Sequence, residues 1–264
     1  MKQVLDLAAY LRRIEFAGAL RPDRATLAAL HLAHATHIPF ENLDILLGRP
    51  LRLDLDSLQE KLVRGARGGY CFEHNLLFAA ALEAAGFRVT QLAGRVRYRT
   101  RRVLPRTHML LLVAADGAKW IADVGFGVWG LLLPLPLASG PETPQFRWSF
   151  RAVEETGLWT VQSQQEGAWT DLYAFTLEPQ HLIDFEMASY YVSTHPESRF
   201  TQTLIAQSIA PDARYMLHNR DLTVDRGAGT ESRVLADDDE LLEVLAGTFG
   251  LRFPAGTRFN YSDR

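Results

Sequence analysis

The stretch "RGGYCFEHN", residues 67–75, holds the only cysteine of the chain and places it directly before a helical pattern. Two glycines, Gly68 and Gly69, precede it, and apolar residues then recur at helical spacing until Gly86, a natural helix terminator. We therefore predict that Cys71 begins a helix. A helix N-terminus stabilises a thiolate, and its first N–H groups, which are unpaired within the helix, can donate to an oxyanion. From this segment alone, a small buried hydrophobic residue is an equally good interpretation of the cysteine.

Residues up to about 87 show helical spacing, and the period changes from Val89 onward. The segment "DSLQEKLV" begins with Asp56 and Ser57, which are good helix caps. Five later segments read as β-strands between turns, and they predict an antiparallel sheet or barrel: "VTQLAGRVRY", "THMLLLVAA", "KWIADVGF", "RWSFRAVEE" and "LWTVQSQ".

The last third of the sequence predicts a helical connector followed by a small α/β lobe. The connector is "LIDFEMASYYVST". The lobe comprises three predicted strands, "TLIAQSIA", "ARYMLHN" and "DLTVDR", and a capped helix, "DDDELLEVLAGTF".

Composition argues against nucleic-acid-binding, disulfide-linked and membrane-spanning proteins. With 264 residues, 47% of them hydrophobic, the chain can bury a sizeable core, and its formal net charge of −3 gives no overall attraction to nucleic acid or anionic lipid. One cysteine forms no internal disulfide, and no apolar stretch approaches the roughly 20 residues that span a bilayer. We expect a cytoplasmic protein with small-molecule partners, without nucleic-acid or membrane partners; self-association into a homo-oligomer stays open.

A nucleophilic cysteine needs a base and an orienting group, and two strand-like segments supply candidates. His108 lies at the start of the apolar strand "THMLLLV", and Asp123 lies at the end of "KWIAD". A carboxylate between Ala122 and Val124 is costly to bury without a partner, and an imidazole is a natural one. The alternative is that Asp123 only caps a turn and His108 is an ordinary strand residue.

Other titratable residues are given structural interpretations. His31, His34 and His37 are three apart without a cysteine or carboxylate in ligand spacing, so we predict partly exposed helix histidines and no metal site. Glu73 and His74 point away from the thiol, because adjacent helix positions differ by about 100°.

Six motifs together resemble the arylamine N-acetyltransferase family over essentially the whole chain: "IPFENLDI", "RGGYCFEHN", "THMLLLV", "ADVGFG", "YYVSTHPESRF" and "LHNRDLTV". The resemblance implies an α+β fold with a cysteine-protease-like core. Its implied parts are a helical bundle carrying the cysteine (residues 1–87), an antiparallel β-barrel carrying the histidine and aspartate (88–184), an interdomain helical connector (185–205) and an α/β lid (206–264).

The resemblance also implies a reaction. Cys71 is the acetyl-accepting nucleophile, His108 the base and Asp123 its orienter. Acetyl-CoA is a co-substrate and no cofactor is bound permanently; an acetyl-cysteine intermediate then passes the acetyl group to an aromatic amine or hydrazine. Phe40 and Phe126 lie in motifs whose family counterparts are close to the nucleophile, so we expect them to contact substrate.

Two segments are candidates for binding the phosphates of coenzyme A. Backbone N–H groups in the glycine-containing loop can approach an anion closely; its residues are Val124, Gly125, Phe126 and Gly127. The alternating arginines of "RVRYRTRR" line one face of a predicted strand, although a solvated face is the simpler interpretation. For Arg67 and Glu41 we predict a structural ion pair or hydrogen-bond network that supports the Cys71 loop.

Three other functions stay open at this point. An amide synthase of polyketide chain release or macrolactam closure uses the same three residues on a related fold. A papain-like peptidase or transglutaminase also uses such a triad. A small-molecule binding protein that has lost activity is the non-enzymatic alternative, and the presence of all three residues argues against it.

Overall fold

The computed structural model describes residues 4–227 and 229–262. Within these ranges the chain forms eight α-helices, one π-helix and thirteen β-strands in two antiparallel sheets, which confirms the predicted α+β class. None of the helices in these ranges is long and apolar enough to cross a membrane. Residues 1–3 of the predicted helical domain, and residues 228, 263 and 264 of the predicted lid, lie outside the described residues.

Helices dominate the first part of the chain. They are α1 (Leu7–Arg13), α2 (Arg24–His37), α3 (Leu43–Leu46), α4 (Leu55–Leu58), a π-helix (Gln59–Arg64) and α5 (Cys71–Ala84). The predicted start of α5 at Cys71, and its end just before Gly86, are confirmed. The predicted caps of α4 were wrong by two residues, because Asp54 accepts hydrogen bonds from the backbone and hydroxyl of Ser57.

The middle of the chain forms a nearly closed barrel of eight strands. These are β2 (Arg88–Val96), β3 (His108–Ala115), β4 (Ala118–Ala122), β5 (Leu135–Pro136), β6 (Thr143–Gln145), β7 (Trp148–Glu155), β8 (Leu158–Gln165) and β9 (Ala168–Phe175), in the order β5-β4-β3-β2-β9-β8-β7-β6. The N–H of Gly140, between the two edge strands, donates to the carbonyl of Ala152 at 2.8 Å, which brings the β5 end toward β7. The sequence did not predict β9, whose last four residues are all buried and therefore lack alternation.

The predicted arginine ladder is wrong, because β2 ends at Val96. The N–H groups of Arg97 and Tyr98 both donate to the carbonyl of Leu172, and Arg99 then adopts a positive φ of 51° in a turn. The alternating arginines therefore do not share one face of a strand.

The last part of the chain forms the second sheet and its helices. The connector helix α6 (Leu182–Thr194) has the bounds of the predicted segment "LIDFEMASYYVST" and is followed by α7 (Arg199–Gln202). The sheet has the order β1-β10-β11-β12-β13, with β1 (Phe40–Glu41), β10 (Ile205–Ile209), β11 (Arg214–His218), β12 (Asp221–Asp225) and β13 (Thr230–Val234); α8 (Asp238–Phe249) follows. Strand β1 comes from the helical part, where Phe40 pairs with Gln207. The four-part domain division remains a proposal, and this shared sheet is its main refinement.

Candidate active site

Cys71 begins α5 and is buried, with 6% of its surface exposed. Gly69 allows the preceding loop to approach the first turn of the helix, since a Cβ atom there would lie 2.9 Å from the Cβ of Glu73. Helix α5 packs on β3, and the Cys71 Sγ donates to the carbonyl oxygen of Thr107 at 3.5 Å. The thiol therefore lies beside the start of β3, where His108 is the next residue.

His108 and Asp123 form a buried pair. The imidazole Nε2 donates to Asp123 Oδ2 at 2.7 Å, and the two residues are only 2% and 1% exposed. Because the carboxylate only accepts, the proton of this bond is on Nε2, and Nδ1 is the nitrogen that can take another proton. The structure thus gathers the three residues that the sequence singled out: a thiol next to a strand start, an imidazole and a carboxylate.

Asn75 is a site residue that the sequence reasoning missed. Its Nδ2 donates to Asp123 Oδ1 at 3.0 Å and to the carbonyl of Met109 at 2.8 Å, and its Oδ1 accepts from the N–H of Val124. Asn75 lies four residues after Cys71 in α5, so both residues are on one face of the helix. That spacing was the available signal, and it indicates that one helix face both presents the thiol and holds the carboxylate.

The histidines of α2 correct a second prediction. His31 and His34 are fully buried, because α5 and the loop after β4 cover this face of α2. His31 accepts from the backbone N–H of Asp123 through Nε2 at 3.1 Å and donates through Nδ1 to the carbonyl of Leu132. Of the three histidines, His37 alone is partly exposed. Helix α2 therefore also helps to position Asp123, by accepting a hydrogen bond from the backbone N–H of that residue.

A second buried chain of hydrogen bonds runs through His34 and His74. The Pro39 carbonyl only accepts, so the bond at 3.1 Å places a proton on His74 Nε2. His74 Nδ1 then accepts from His34 Nε2 at 3.0 Å, and His34 Nδ1 accepts from the Tyr10 hydroxyl at 2.8 Å. A proton added to His74 Nδ1 would oppose the N–H of His34 Nε2, and burial lowers the pKa of His34 well below its usual value, so both imidazoles are neutral.

These buried histidines predict a loss of stability in mild acid. Burial lowers the pKa of His31 and of His74 from 6.5 to about 4. The unfolded chain therefore binds more protons than the folded chain between these values, so stability is full above pH 6.5 and is lost as the pH falls toward 4. We expect a loss of about 3 kcal/mol for each such histidine.

Urea denaturation at pH values from 7.5 to 4.5 measures this loss. The variant His31→Asn should show a shallower dependence of unfolding free energy on pH, by about one proton at pH 5. The matched variant Ala25→Ser, at an exposed residue of the same helix that carries no titratable group, should keep the wild-type slope. An unfolding free energy that stays constant down to pH 4.5 would contradict the assignment of buried neutral imidazoles.

The electrostatics of the thiol differ from the prediction. Burial raises the pKa of Cys71, and it outweighs the opposite effect of the N–H groups of Met109 and Phe72 at the thiol. The predicted lowering by the helix start is therefore exceeded by desolvation, and the resting thiol is protonated. Burial raises the pKa of Asp123, but attraction to His108 and hydrogen bonding lower it by more. The carboxylate therefore stays ionised at neutral pH.

An ion-pair network supports the loop before Cys71. The predicted pair is confirmed: Arg67 Nη2 and Nε donate to Glu41 Oε1 at 2.6 and 3.0 Å. Lys61 Nζ lies 2.8 Å from Glu73 Oε1 and 3.0 Å from Asp44 Oδ2. Glu73 also accepts from the N–H of Tyr70, so its carboxylate is held away from the thiol, as predicted.

The two phenylalanines expected to contact substrate lie in different surroundings. The ring of Phe126 meets His108 edge-on, with centroids 5.0 Å apart and an interplanar angle of 82°. Phe40 packs against Phe200 at 6.1 Å and stacks on His74 at 6.3 Å. Phe126 thus packs against the imidazole of His108, whereas Phe40 lies between the helical part and the second sheet. Contact of either ring with substrate remains a proposal.

The loop after Asp123 only partly fits the predicted contact with coenzyme A. The N–H of Val124 donates to Asn75 and that of Gly125 donates to Asp123. A Cβ atom at Gly125 would lie 2.8 Å from the Cα of Cys71, so this glycine allows close packing on Cys71. The amides of Val124 and Gly125 are therefore occupied within the protein. Those of Phe126 and Gly127 have no acceptor among the described residues and remain candidates.

Comparisons with known proteins agree with one another. A protein-family model described as N-acetyltransferase matches residues 23–257. The chain is 42% identical over 253 residues to the arylamine N-acetyltransferase of Mycolicibacterium smegmatis, covering 94% of this chain and 92% of that protein. It is 40% identical over 245 residues to the arylamine N-acetyltransferase of Escherichia coli, covering 92% and 87%.

Solved structures are equally similar. The structure of arylamine N-acetyltransferase from M. tuberculosis superposes with a TM-score of 0.91 at 40% identity, covering 93% of this chain and 94% of that one. The Mycobacterium marinum arylamine N-acetyltransferase in complex with CoA gives a TM-score of 0.89 at 36% identity and covers 93% of each chain.

Proposed function

The chain belongs to the arylamine N-acetyltransferase family, a family of acetyltransferase enzymes, and on that premise we propose that it moves an acetyl group from acetyl-CoA to aromatic amines or hydrazines through an acetyl-Cys71 intermediate. The single observation that carries the proposal is the buried His108–Asp123 pair beside the helix start that presents the only thiol. The relative from M. marinum whose solved structure contains CoA supports the choice of donor.

In the first half-reaction the thiol of Cys71 loses its proton to Nδ1 of His108 and its sulfur attacks the thioester carbonyl. This proton transfer is required, because burial keeps the resting thiol protonated. The imidazolium that forms is stabilised by Asp123, whose carboxylate stays ionised. The tetrahedral intermediate then expels the coenzyme A thiolate, which takes the proton from His108 and leaves the acetyl group on Cys71.

In the second half-reaction the nitrogen of the amine attacks the acetyl-cysteine carbonyl, and His108 removes the proton of the amine as a general base. The Cys71 sulfur leaves and regains a proton from His108. An arylamine is mostly uncharged near pH 7, so its lone pair is available, whereas an alkylamine must first lose a proton. A cytoplasmic location, where a single thiol stays reduced, belongs to the same proposal.

Intact-protein mass spectrometry tests the proposal directly. Incubation with acetyl-CoA alone should add one acetyl group, which peptide mapping places on Cys71, and addition of an arylamine should remove it and yield the N-acetylarylamine. An unmodified protein that nevertheless turns over a polyketide thioester would favour the amide synthase. Turnover of a peptide or glutamine substrate without any CoA thioester would favour a peptidase or transglutaminase.

A further inference from the structure

Arg214, at the start of β11, is a buried cation that the proposed reaction does not use. Only 1% of its surface is exposed. Its guanidinium carbon lies 4.1 Å from the centroid of the Trp148 ring and 4.9 Å from that of Trp129. Two indole rings therefore pack against the guanidinium. Its N–H groups lie in the guanidinium plane and are available for hydrogen bonding.

These N–H groups lack protein partners. Arg214 Nε and Nη2 are buried and have no hydrogen-bond partner within residues 4–227 and 229–262, and Arg214 forms no ion pair within these residues. Asp225 is opposite Arg214 on β12 and attracts it, but it accepts a hydrogen bond from Gly227. Burial lowers the pKa of Arg214 to about 9 despite this attraction. A buried cation without a hydrogen-bonded counter-charge is strongly unfavourable, so the arrangement is suited to an anion from outside the chain.

A second unpaired polar group belongs to the same cluster. The ring of Tyr98 packs against Trp129 with centroids 5.7 Å apart, and its buried hydroxyl has no partner among the described residues. Gln165 is the neighbouring amide and favours the ionised hydroxyl, but it makes no hydrogen bond to it within 3.5 Å, and its Nε2 donates to Ser163. Tyr98 follows β2 of the barrel and Arg214 begins β11 of the second sheet, and both pack against Trp129 and interact electrostatically with each other.

We propose that Arg214 and Tyr98, which both pack against Trp129, form an anion-binding subsite for the phosphate or carboxylate group of a substrate. This inference rests on the proposed function. Trp129 is three residues after Phe126, whose ring touches His108, and the N–H of Gly130 closes a turn onto Gly127. The subsite is therefore continuous with the loop that carries the triad carboxylate.

Two substrates of the proposed reaction can carry such an oxyanion. The thioester donor has phosphates at its nucleotide end, and an acidic aromatic amine has a carboxylate on its ring. A planar guanidinium donates two parallel hydrogen bonds to either group, and a tyrosine hydroxyl adds a third. The same hydrogen bonds would recognise the phosphate and the carboxylate. Measuring which of the two ligands binds at the subsite therefore distinguishes them.

Calorimetric titration of the whole chain distinguishes them without requiring turnover. The ligands are CoA, 3′-dephospho-CoA, pantetheine, 4-aminobenzoate and 4-aminobenzamide, and the variants are Arg214→Met, Arg214→Lys and Tyr98→Phe. We expect Arg214→Met to weaken the anionic ligand that occupies the subsite about 10- to 100-fold, and Tyr98→Phe about 3- to 10-fold, with no change for its neutral counterpart. Arg214→Lys, which lacks the planar fork, should fall between wild type and Arg214→Met.

The control is Arg88→Met, which removes one exposed arginine at the opposite end of β2 from Tyr98 and should change no affinity. Weaker binding of CoA but not of 4-aminobenzoate would assign a phosphate; the reverse would assign a carboxylate. Unchanged affinity for both anions in Arg214→Met and Tyr98→Phe, or an equal loss for pantetheine and 4-aminobenzamide, would overturn the subsite. A chain that binds CoA through Arg214 yet never acetylates an amine would refute the proposed function and leave the subsite intact.

Discussion

Replacing Cys71 with serine is expected to lower the rate of acetyl transfer by at least about 10⁴-fold, for both half-reactions. The serine oxygen would occupy nearly the same position at the start of α5, so the geometry of the site is kept. A hydroxyl is a much weaker acid than a thiol, however, and burial disfavours its ionised form further. His108 would then generate the nucleophile far less readily, and the acetyl adduct would form correspondingly slowly.

Stopped-flow measurement of CoA release, together with intact mass, checks this expectation. Binding of CoA by Cys71→Ser should stay within about twofold of wild type, because the change removes no binding surface. Since the chain holds one cysteine, any acetylation that remains must come from another residue type. Transfer that keeps more than about 1% of the wild-type rate would show that the reaction does not pass through the thiol.

The parts of the site that could be predicted are those fixed by local sequence. The start of α5 follows from the glycines before Cys71 and the helical spacing after it. His108 begins β3, and Asp123 directly follows β4. Antiparallel pairing of Leu111 with Ala122 brings these two positions to the same end of the barrel. A hairpin of two apolar strands with polar residues at its open end therefore predicts their proximity.

The parts that could not be predicted depend on what covers each face. Asn75 and His31 have ordinary helical positions, and only the packing of α2 and α5 against the loop after β4 turns them toward Asp123. The same coverage explains why His31 and His34 are buried and why burial raises the pKa of Cys71. Strand β1 has two residues, too few for a periodic signal, and exists because β10 pairs with it.

Replacing Asp123 with asparagine is the second change for which we expect a very large effect, a loss of about 10³- to 10⁴-fold in the rate of Cys71 acetylation. Both carboxylate oxygens accept: Oδ2 from His108, and Oδ1 from Asn75 and Gly125. An asparagine amide pointed toward Asn75 and Gly125 would oppose two donors, so it must point toward His108. The imidazole must then carry its proton on Nδ1 and accept with Nε2, which removes the base that the thiol needs.

The ring nitrogen shifts of 15N-labelled His108 report this change of tautomer directly, and single-turnover kinetics report the rate. Affinity for CoA should be unchanged, since the carboxylate is buried and its replacement has nearly the same shape. The matched variant Asp212→Asn, at an exposed turn residue, should acetylate at the wild-type rate. The asparagine amide fits this site only if the imidazole proton moves from Nε2 to Nδ1. A slow variant that keeps the wild-type tautomer would therefore refute the orienting role of Asp123. Near-normal turnover with the reversed tautomer would instead remove His108 Nδ1 from the mechanism.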